Sequence, residues 1–315
     1  MENNSKTNIN LSVIIPFTER YDPVKELFQE YKQGLDTTGL SYEIIYVLDG
    51  EQPKAMEELN ALRNTERFTI ITLAKRFGES TALNAGFSEC SGELILTLPA
   101  FQQVDSEAIP ALVSAIKDND MVMARRWPRK DSFFNRVQLK TFNFLLRSFT
   151  DLKIHDAGCS ARIFKRSVLE EVHLYGDLYR FLPIMAHRQG FRIAEIDTPQ
   201  SQRDTFRRIY SPGLYLRRLL DIFTIFFLVK FTKKPLRFFG LIGTSLFGAG
   251  LLAAVYLVID RLVFDVALAN RPALFLSSLL IVLGIQIIAI GLIGEIIIFT
   301  HAKDLKEYKI DKIIN

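Results

Sequence analysis

The stretch LSVIIPF, residues 11–17, decides the fold of the N-terminal part of the chain together with YEIIYVLDG, residues 42–50. Both are short runs rich in β-branched residues, and a proline or a glycine stands at or near the end of each. Such runs are typical of buried strands. A helical pattern between Pro23 and Gly34 connects them. Two strands joined through a helix predict a parallel βαβ unit, because parallel strands need a long crossover connection.

The same alternation of strand and helix patterns continues along the chain. FTIITLA (68–74) predicts a third strand, ESTALNAGFSEC (79–90) a helix and ELILTLP (93–99) a fourth strand. Strands that alternate with helices predict an α/β fold with a doubly wound, mostly parallel sheet. Ligands of such sheets bind beyond the carboxyl ends of the strands. The loops in which to search for a site are therefore Pro16–Arg20, Leu48–Glu51, Lys75–Glu79 and Pro99–Asp105.

Basic and amphipathic segments appear after residue 120. MVMARRWPRKDS (121–132) is a strand pattern that runs into a basic loop, and FFNRVQLKTFNFLLRSF (133–149) predicts an amphipathic helix. LYLRRLLDIFTIFFLVKF (214–231) mixes apolar and basic residues, and its apolar centre is too short to cross a membrane. We interpret the region 211–237 as an interfacial amphipathic helix that lies on a membrane, with an ordinary core helix as the alternative.

Two apolar runs near the C-terminus predict a transmembrane hairpin over residues 238–300. FFGLIGTSLFGAGLLAAVYLVI (238–259) and ALFLSSLLIVLGIQIIAIGLIG (273–294) contain no charged residue. Each is long enough to cross a hydrocarbon layer of about 30 Å as a helix. The alternative is a pair of buried helices in a soluble core, and two such runs in close succession favour the membrane.

The basic residues around these runs predict the orientation of the hairpin. Those that flank it are Lys230, Lys233, Lys234 and Arg237 on one side and Lys303, Lys306, Lys309 and Lys312 on the other. The connecting loop has only Arg261 and Arg271. Because loops rich in lysine and arginine stay in the cytoplasm, we expect a multi-pass protein of the inner membrane with both termini cytoplasmic. The two cysteines suggest no disulfide framework, which fits a reducing compartment.

Several segments together make the chain resemble family 2 glycosyltransferases of the GT-A fold: LSVIIPF, YEIIYVLDG, KRFGESTALNAGF, HDAGCSARIFKR, LYGDLYRFLP and RRLLDIFTIFFLVKF. Within that family the chain is similar to polyprenyl-phosphate glycosyltransferases related to dolichol-phosphate mannose synthase. The resemblance implies a GT-A domain over residues 1–210, then the interfacial region, the hairpin and a cytoplasmic tail at 301–315. It implies an inverting transfer of a sugar from a nucleotide-sugar donor to a polyprenyl phosphate lipid. The membrane is a further expected partner, and nucleic acid is not expected to be one. The sequence leaves a homo-oligomer open.

The resemblance also implies residues that bind the donor. Pro16 matches the proline that ends the first strand beside the base, and Asp49 matches the second acid of the family's D-D-G-S turn, which contacts the nucleoside. The alternative for Asp49 is an Asx turn before Gly50, which local propensity favours. The family's R-x-x-G-x-S-K-Y segment, which closes over the donor, reads RDTFRRIY here and supplies Arg203, Arg207, Arg208 and Tyr210.

On the acceptor side, Asp156 in HDAGCSAR matches the acid of the family's loop near the lipid phosphate, which makes it the predicted catalytic residue. A carboxylate there is expected to deprotonate or orient the incoming phosphate. We therefore expect Asp156→Asn to abolish turnover with little loss of fold. Basic positions that hold lipid phosphate in the family fall on Arg125, Arg126, Arg129 and Arg162. Arginine suits phosphate because its planar fork donates two hydrogen bonds at once, and the alternative is a solvated basic loop.

The chain departs from the family at the donor site. The metal-binding D-x-D motif falls on Pro99, Ala100 and Phe101, so both of its carboxylates are replaced. Mg²⁺ or Mn²⁺ is expected from the family, but no metal ligand is predicted at these positions. The D-D-G-S turn has lost its first acid to Leu48 and its serine to Glu51. The asparagine–glutamate pair that follows the first strand is replaced by Thr18, Glu19 and Arg20.

Two hypotheses follow for the activity of such a chain. In the first, it is a membrane-associated glycosyltransferase in which cationic side chains such as Arg203, Arg207 and Arg208 replace the metal at the leaving diphosphate. In the second, it is a catalytically inactive homologue that binds lipid phosphate as a scaffold or regulator, because the D-x-D motif is lost. A membrane carrier is disfavoured, because Glu295 is the only charged residue near the apolar runs that could lie inside the membrane.

Overall fold

The computed structural model describes residues 9–18, 20–128, 154–172, 178–204, 235–264 and 272–301. Up to residue 204 these residues belong to one compact unit, and from residue 235 they belong to a second. Several predicted features lie outside the described residues: the helix at 133–149, most of the interfacial region, the tail after residue 301, Arg129, Arg207, Arg208 and Tyr210.

The first unit is built on a seven-stranded sheet. Its strands are β1 (Leu11–Phe17), β2 (Tyr42–Leu48), β3 (Thr69–Thr72), β4 (Leu94–Thr97), β5 (Met121–Arg126), β6 (Arg162–Lys165) and β7 (Ile193–Thr198). Their order across the sheet is β3-β2-β1-β4-β6-β5-β7. β6 runs antiparallel to both of its neighbours, whereas the other neighbouring strands are parallel. The predicted doubly wound, mostly parallel sheet is therefore confirmed.

Helices fill the connections between these strands. They are α1 (Val24–Asp36), α2 (Pro53–Arg63), α3 (Glu79–Ser88), α4 (Ala108–Ala115), α5 (Arg166–Glu171) and α6 (Leu182–Arg188), with 3₁₀ turns at Ile116–Asp118 and Leu178–Phe181. The sequence of α1 shows why these segments fold as they do. Its apolar residues recur at helical spacing and are buried in one cluster with β1 and β2: Val24, Leu27, Phe28, Tyr31 and Leu35.

The core of this unit is centred on β1. Every residue of β1 is buried, because β2 and β4 flank it in the sheet. Gly86 in α3 shows how closely helix and sheet approach. A Cβ on Gly86 would lie 2.6 Å from the Cγ2 of Ile14, so even an alanine there would force α3 away from β1.

The strand order creates a crevice at one edge of the sheet. The chain passes from β1 to β2 on one side and places β4 on the other side of β1, so the order reverses between β1 and β4. Open α/β sheets bind their ligands beyond the carboxyl ends of the strands at such a switch point. The loops that follow β1, β2 and β4 carry Arg20, Asp49 and Phe101. The fold therefore directs the search for a site to these three loops.

The second unit consists of two apolar helices, α7 (Pro235–Phe264) and α8 (Pro272–His301), of 30 residues each. Both are long and apolar enough to cross a membrane. Large apolar side chains are exposed along both helices, among them Leu262 and Phe299. The pair has the length and composition of a transmembrane hairpin, and its helices extend beyond the predicted runs at both ends.

Small residues allow α7 and α8 to pack closely. A Cβ on Gly243 would lie 2.7 Å from the carbonyl oxygen of Gly284, and a Cβ on Gly250 would lie 2.8 Å from that of Ser277. On each helix these small residues stand one heptad apart, so a single seam runs along the pair. Close backbone approach at small residues is a common basis of helix association in membranes.

Candidate active site

The loop after β4 lies at the switch point, and its side chains are apolar. Tyr31 from α1 holds this loop, because its hydroxyl donates to the carbonyl of Pro99 over 2.8 Å. Asp22 holds it as well: its N–H donates to the carbonyl of Ala100 over 2.9 Å, and its Oδ2 accepts from the N–H of Gln102 over 2.9 Å. Burial raises the pKa of Tyr31 well above its usual value, so its hydroxyl stays a donor at neutral pH. The loop is therefore fixed against the start of α1.

The residues of this loop do not fit a D-x-D metal site. Mg²⁺ and Mn²⁺ prefer carboxylate and other oxygen ligands, whereas the side chains of Pro99, Ala100 and Phe101 carry no oxygen. Within the described parts of the chain, no group of three or more His, Cys, Asp or Glu side chains is arranged to hold a metal ion. The nearby carboxylate of Asp22 already accepts a hydrogen bond from the loop itself.

A guanidinium lies beside this loop. The Cζ of Arg20 is 4.4 Å from the centroid of the Phe101 ring, within the range of a cation–π contact. The Nη2 of Arg20 donates to the carbonyl of Arg203 over 3.2 Å and lies 3.8 Å from Oδ1 of Asp22. The structure thus places one positive charge on the third residue of the altered motif.

Asp49 ties the end of β2 to the loop before α3. Its side chain is buried, and its two oxygens accept from the N–H groups of Phe77 and Gly78 over 2.7 and 3.0 Å. These partners belong to a different loop. The carboxylate therefore does not form the local Asx turn that was the alternative for Asp49. Gly50 and Gly78 both have positive φ, at 83° and 97°, which glycine adopts most readily. Contact with a nucleoside stays a prediction for Asp49.

Pro16, the other residue predicted near the base, is a buried residue of β1 and lies opposite Val47 of β2. The side chain of Arg203 pairs with α1, because its Nη1 lies 3.1 Å from Glu26 and 3.6 Å from Glu30. These contacts tie the chain after β7 to α1, next to Arg20, which donates to the carbonyl of Arg203.

Asp156 forms a buried ion pair with Arg126 at the end of β5. Only 1% of Asp156 and 7% of Arg126 are exposed. The carboxylate accepts from Nε over 2.8 Å, from Nη2 over 3.0 Å and from the backbone N–H of Arg126 over 3.2 Å. Burial alone lowers the pKa of Arg126, but the charge and hydrogen bonds of Asp156 outweigh it and the pKa is raised well above its usual value. The two predicted residues therefore act as a pair.

Two carboxylates that the sequence did not single out support this pair. Asp204 accepts from Nη1 of Arg126 over 2.9 Å and from the amide of Gln200 over 2.9 Å. Glu195 on β7 accepts from the N–H groups of His155 and Asp156, and its Oε2 lies 2.8 Å from Nδ1 of His155. The loop that carries Asp156 is thus held on two sides.

Arg162 also holds the Asp156 loop, through hydrogen bonds to backbone carbonyls. Its side chain is buried, and its guanidinium donates to the carbonyls of Ala157, Cys159 and Tyr179 over 2.8, 2.9 and 2.9 Å. It also lies over the ring of Tyr179, 4.6 Å from the centroid. These contacts give Arg162 a part in shaping the Asp156 loop, and binding of lipid phosphate by Arg162 stays a prediction.

Arg125 lies at the surface beside Trp127. Its Cζ is 4.9 Å from the centroid of the indole, and its Nη1 is 3.4 Å from Oδ1 of Asp197. Trp127 is 56% exposed. The geometry therefore brings Asp156, Arg126 and Arg162 together in one buried cluster, and places Arg125 apart from it at the surface.

Comparison with known proteins shows the family to which the chain belongs. Residues 12–173 match glycosyl transferase family 2, which is more than half of the chain. The chain belongs to glycosyl transferase family 2. Undecaprenyl-phosphate 4-deoxy-4-formamido-L-arabinose transferase of Photorhabdus laumondii is 30% identical over 310 residues, 96% of this chain and 94% of that protein. Dodecaprenyl-phosphate galacturonate synthase of Rhizobium johnstonii is 27% identical over 311 residues, 96% of this chain and 91% of that protein.

A solved structure supports the fold. Glucosyl-3-phosphoglycerate synthase from Mycobacterium tuberculosis, crystallised with Mn²⁺, UDP and phosphoglyceric acid, aligns with a TM-score of 0.53 at 14% identity. The alignment covers 70% of this chain and 79% of that chain. At this identity the likeness concerns the fold, and it confirms the GT-A-like architecture. The prediction of a family 2 glycosyltransferase is confirmed by the family match over residues 12–173.

Proposed function

We propose that this family 2 member transfers a sugar from a nucleotide-sugar donor to a polyprenyl phosphate, and that it does so at the cytoplasmic face of the inner membrane with both termini cytoplasmic. The observation that carries this proposal is the extent of the match to relatives named as polyprenyl-phosphate sugar transferases. It covers 96% of the chain and so includes the apolar helix pair. An enzyme whose acceptor is a membrane lipid has a physical reason to carry such a pair.

The chemistry of the acceptor is consistent with the buried ion pair. A phosphate monoester is already ionised at neutral pH, since its second pKa is about 6. Its oxygen can therefore attack the anomeric carbon with inversion, while the bond from that carbon to the diphosphate of the donor breaks and the nucleotide leaves, without first losing a proton to a base. The role we assign to Asp156 is to hold its loop and Arg126 in place for the incoming phosphate. The ion pair with Arg126 also offsets the repulsion that a lone carboxylate would exert on that phosphate.

The second candidate function is a catalytically inactive scaffold or regulator that binds lipid phosphate. The specific observation in its favour is the replacement of both D-x-D carboxylates by apolar side chains at Pro99–Phe101. Such a protein would keep the Asp156 loop and lose the chemistry at the donor.

The experiment that separates the two functions uses the purified full-length protein in detergent with undecaprenyl phosphate. Labelled UDP-sugars, including UDP-galacturonic acid, are supplied one at a time, and label is counted in the organic phase. We expect lipid-linked sugar with at least one donor, with the anomeric configuration inverted relative to the donor when read by NMR. Absence of lipid-linked product with every donor, together with retained binding of the lipid phosphate, would favour the scaffold.

A further inference from the structure

The switch point of the sheet carries an arginine in place of an acidic pair. β1 and β4 are parallel neighbours, with Leu11–Ile14 paired to Leu94–Thr97. The chain segments that leave their carboxyl ends bring Arg20 and Phe101 into contact, at 4.4 Å from Cζ to the ring centroid. Ligands of such sheets bind in this crevice. A single contact therefore joins two positions at which the chain departs from its family.

The contact is held by a fixed support. The backbone on both sides of Phe101 is tied to α1 and to the chain before it, through the hydroxyl of Tyr31 and both the N–H and the carboxylate of Asp22. The carbonyl of Arg203 accepts from the Nη2 of Arg20 over 3.2 Å. The guanidinium is thus positioned by an aromatic ring, a hydrogen bond and the carboxylate of Asp22, whose Oδ1 lies 3.8 Å from Nη2, while 31% of the Arg20 side chain remains exposed.

Charge identifies the class of ligand. A diphosphate that leaves with the nucleotide needs positive charge where its negative charge develops. In an acidic motif the divalent cation supplies this positive charge, and the carboxylates that bind the cation balance it. An arginine beside an uncharged motif supplies the positive charge without a metal. The planar guanidinium suits phosphate oxygens because it donates to two of them at once. The side chain of Arg203 is held by two carboxylates of α1, at 3.1 Å from Glu26 and 3.6 Å from Glu30, whereas Arg20 has one carboxylate, that of Asp22, at the longer distance of 3.8 Å.

We propose that Arg20, seated on the ring of Phe101, binds the diphosphate of a nucleotide donor and takes the place of the metal ion. This inference rests on the proposed function, since it assumes that the crevice receives a nucleoside diphosphate. It names Arg20 as a donor-binding residue and Phe101 as the residue that positions it. Phe101 stands at the third position of the lost D-x-D motif. Arg20 stands in the segment that replaces the asparagine–glutamate pair after the first strand.

The test is calorimetric titration of the full-length protein in detergent with UDP, in excess EDTA and again with Mn²⁺. We expect the wild type to bind UDP in EDTA with an affinity within about threefold of that in Mn²⁺, since no paired carboxylates hold the ion. Arg20→Gln should weaken UDP binding by about 10- to 100-fold, the usual value of a charge-assisted hydrogen-bond pair. Phe101→Ala, which keeps the charge but removes its support, should weaken it by about two- to fivefold.

Arg67→Gln is the matched control, because Arg67 is an exposed arginine at the opposite, amino end of β3. It should leave UDP binding unchanged, and a melting curve for each variant shows that the fold is retained. UDP binding that requires Mn²⁺, or that survives Arg20→Gln in EDTA, would overturn this inference and leave the proposed transfer intact. Failure of the wild type to bind UDP, GDP or dTDP in any condition would overturn both.

Discussion

Substitution of Asp156 is expected to destabilise the protein, in contrast to the expectation from the sequence alone. Removing one partner of a buried ion pair costs about 3–5 kcal/mol, because the other charge is left without its partner. In Asp156→Asn one side-chain oxygen still accepts from Arg126, and Asp204 remains 2.9 Å from its Nη1. We therefore expect a loss near the lower end, about 3 kcal/mol in the free energy of unfolding. In a unit of this size that lowers the melting temperature by about 6–12 °C.

The assay uses the chain's single tryptophan. Trp127 follows Arg126 directly and lies against the guanidinium of Arg125, 4.9 Å from Cζ to the ring centroid, so loss of this contact on unfolding changes its fluorescence. Asp197→Asn is the matched control, because it removes a carboxylate that lies 3.4 Å from Arg125 and is 55% exposed. Exposed pairs of this kind contribute about 0–1 kcal/mol. We expect Asp197→Asn to melt close to the wild type. If Asp156→Asn melts equally close to the wild type, the reasoning is refuted.

Further predictions concern the helix pair and the buried thiols. A Cβ on Gly284 would lie 2.6 Å from the backbone nitrogen of Phe247, so we expect Gly284→Leu to separate α7 from α8 and to make the pair sensitive to protease in detergent. Gly248→Leu, whose Cβ would meet nothing within 4 Å, should leave protease resistance unchanged, and equal sensitivity of the two variants would contradict this packing. Burial raises the pKa of Cys90 to about 12 and that of Cys159 to about 11, so both thiols are protonated at pH 8. Mass spectrometry should find neither alkylated by iodoacetamide until the chain is unfolded, and alkylation of the folded protein would contradict their burial.

Much of the fold could be predicted because burial leaves a pattern in the sequence. β1 is buried along its whole length, so it reads as an apolar run that only Ser12 interrupts. β3 was predicted at 68–74 and spans only Thr69–Thr72, because an edge strand pairs on one side and its flanking apolar residues lie in loops. The hairpin could be predicted from composition, since lipid requires apolar residues all round a helix.

The site was less accessible to sequence reasoning because its contacts join distant residues. Asp156 was singled out from its loop, yet nothing near it in the sequence indicated that Arg126 would meet it in a buried pair. Glu195 joins the same cluster from within β7, where no motif marks it, and Asp204 joins it from a position of the RDTFRRIY segment at which the family motif specifies no residue. In the sequence Arg20 is only a departure from the family, and its contact with Phe101 depends on the adjacency of β1 and β4.

The most direct test of the central claim is the rate of sugar transfer to undecaprenyl phosphate from a labelled UDP-sugar, measured in excess EDTA and in Mn²⁺. The proposed enzyme should form lipid-linked sugar in both conditions, at rates within about threefold of each other, because the motif at Pro99–Phe101 offers no carboxylate to a metal. Lipid-linked product that forms only with Mn²⁺ would contradict the assignment of Arg20, and no product in either condition with any donor would contradict the proposed function itself.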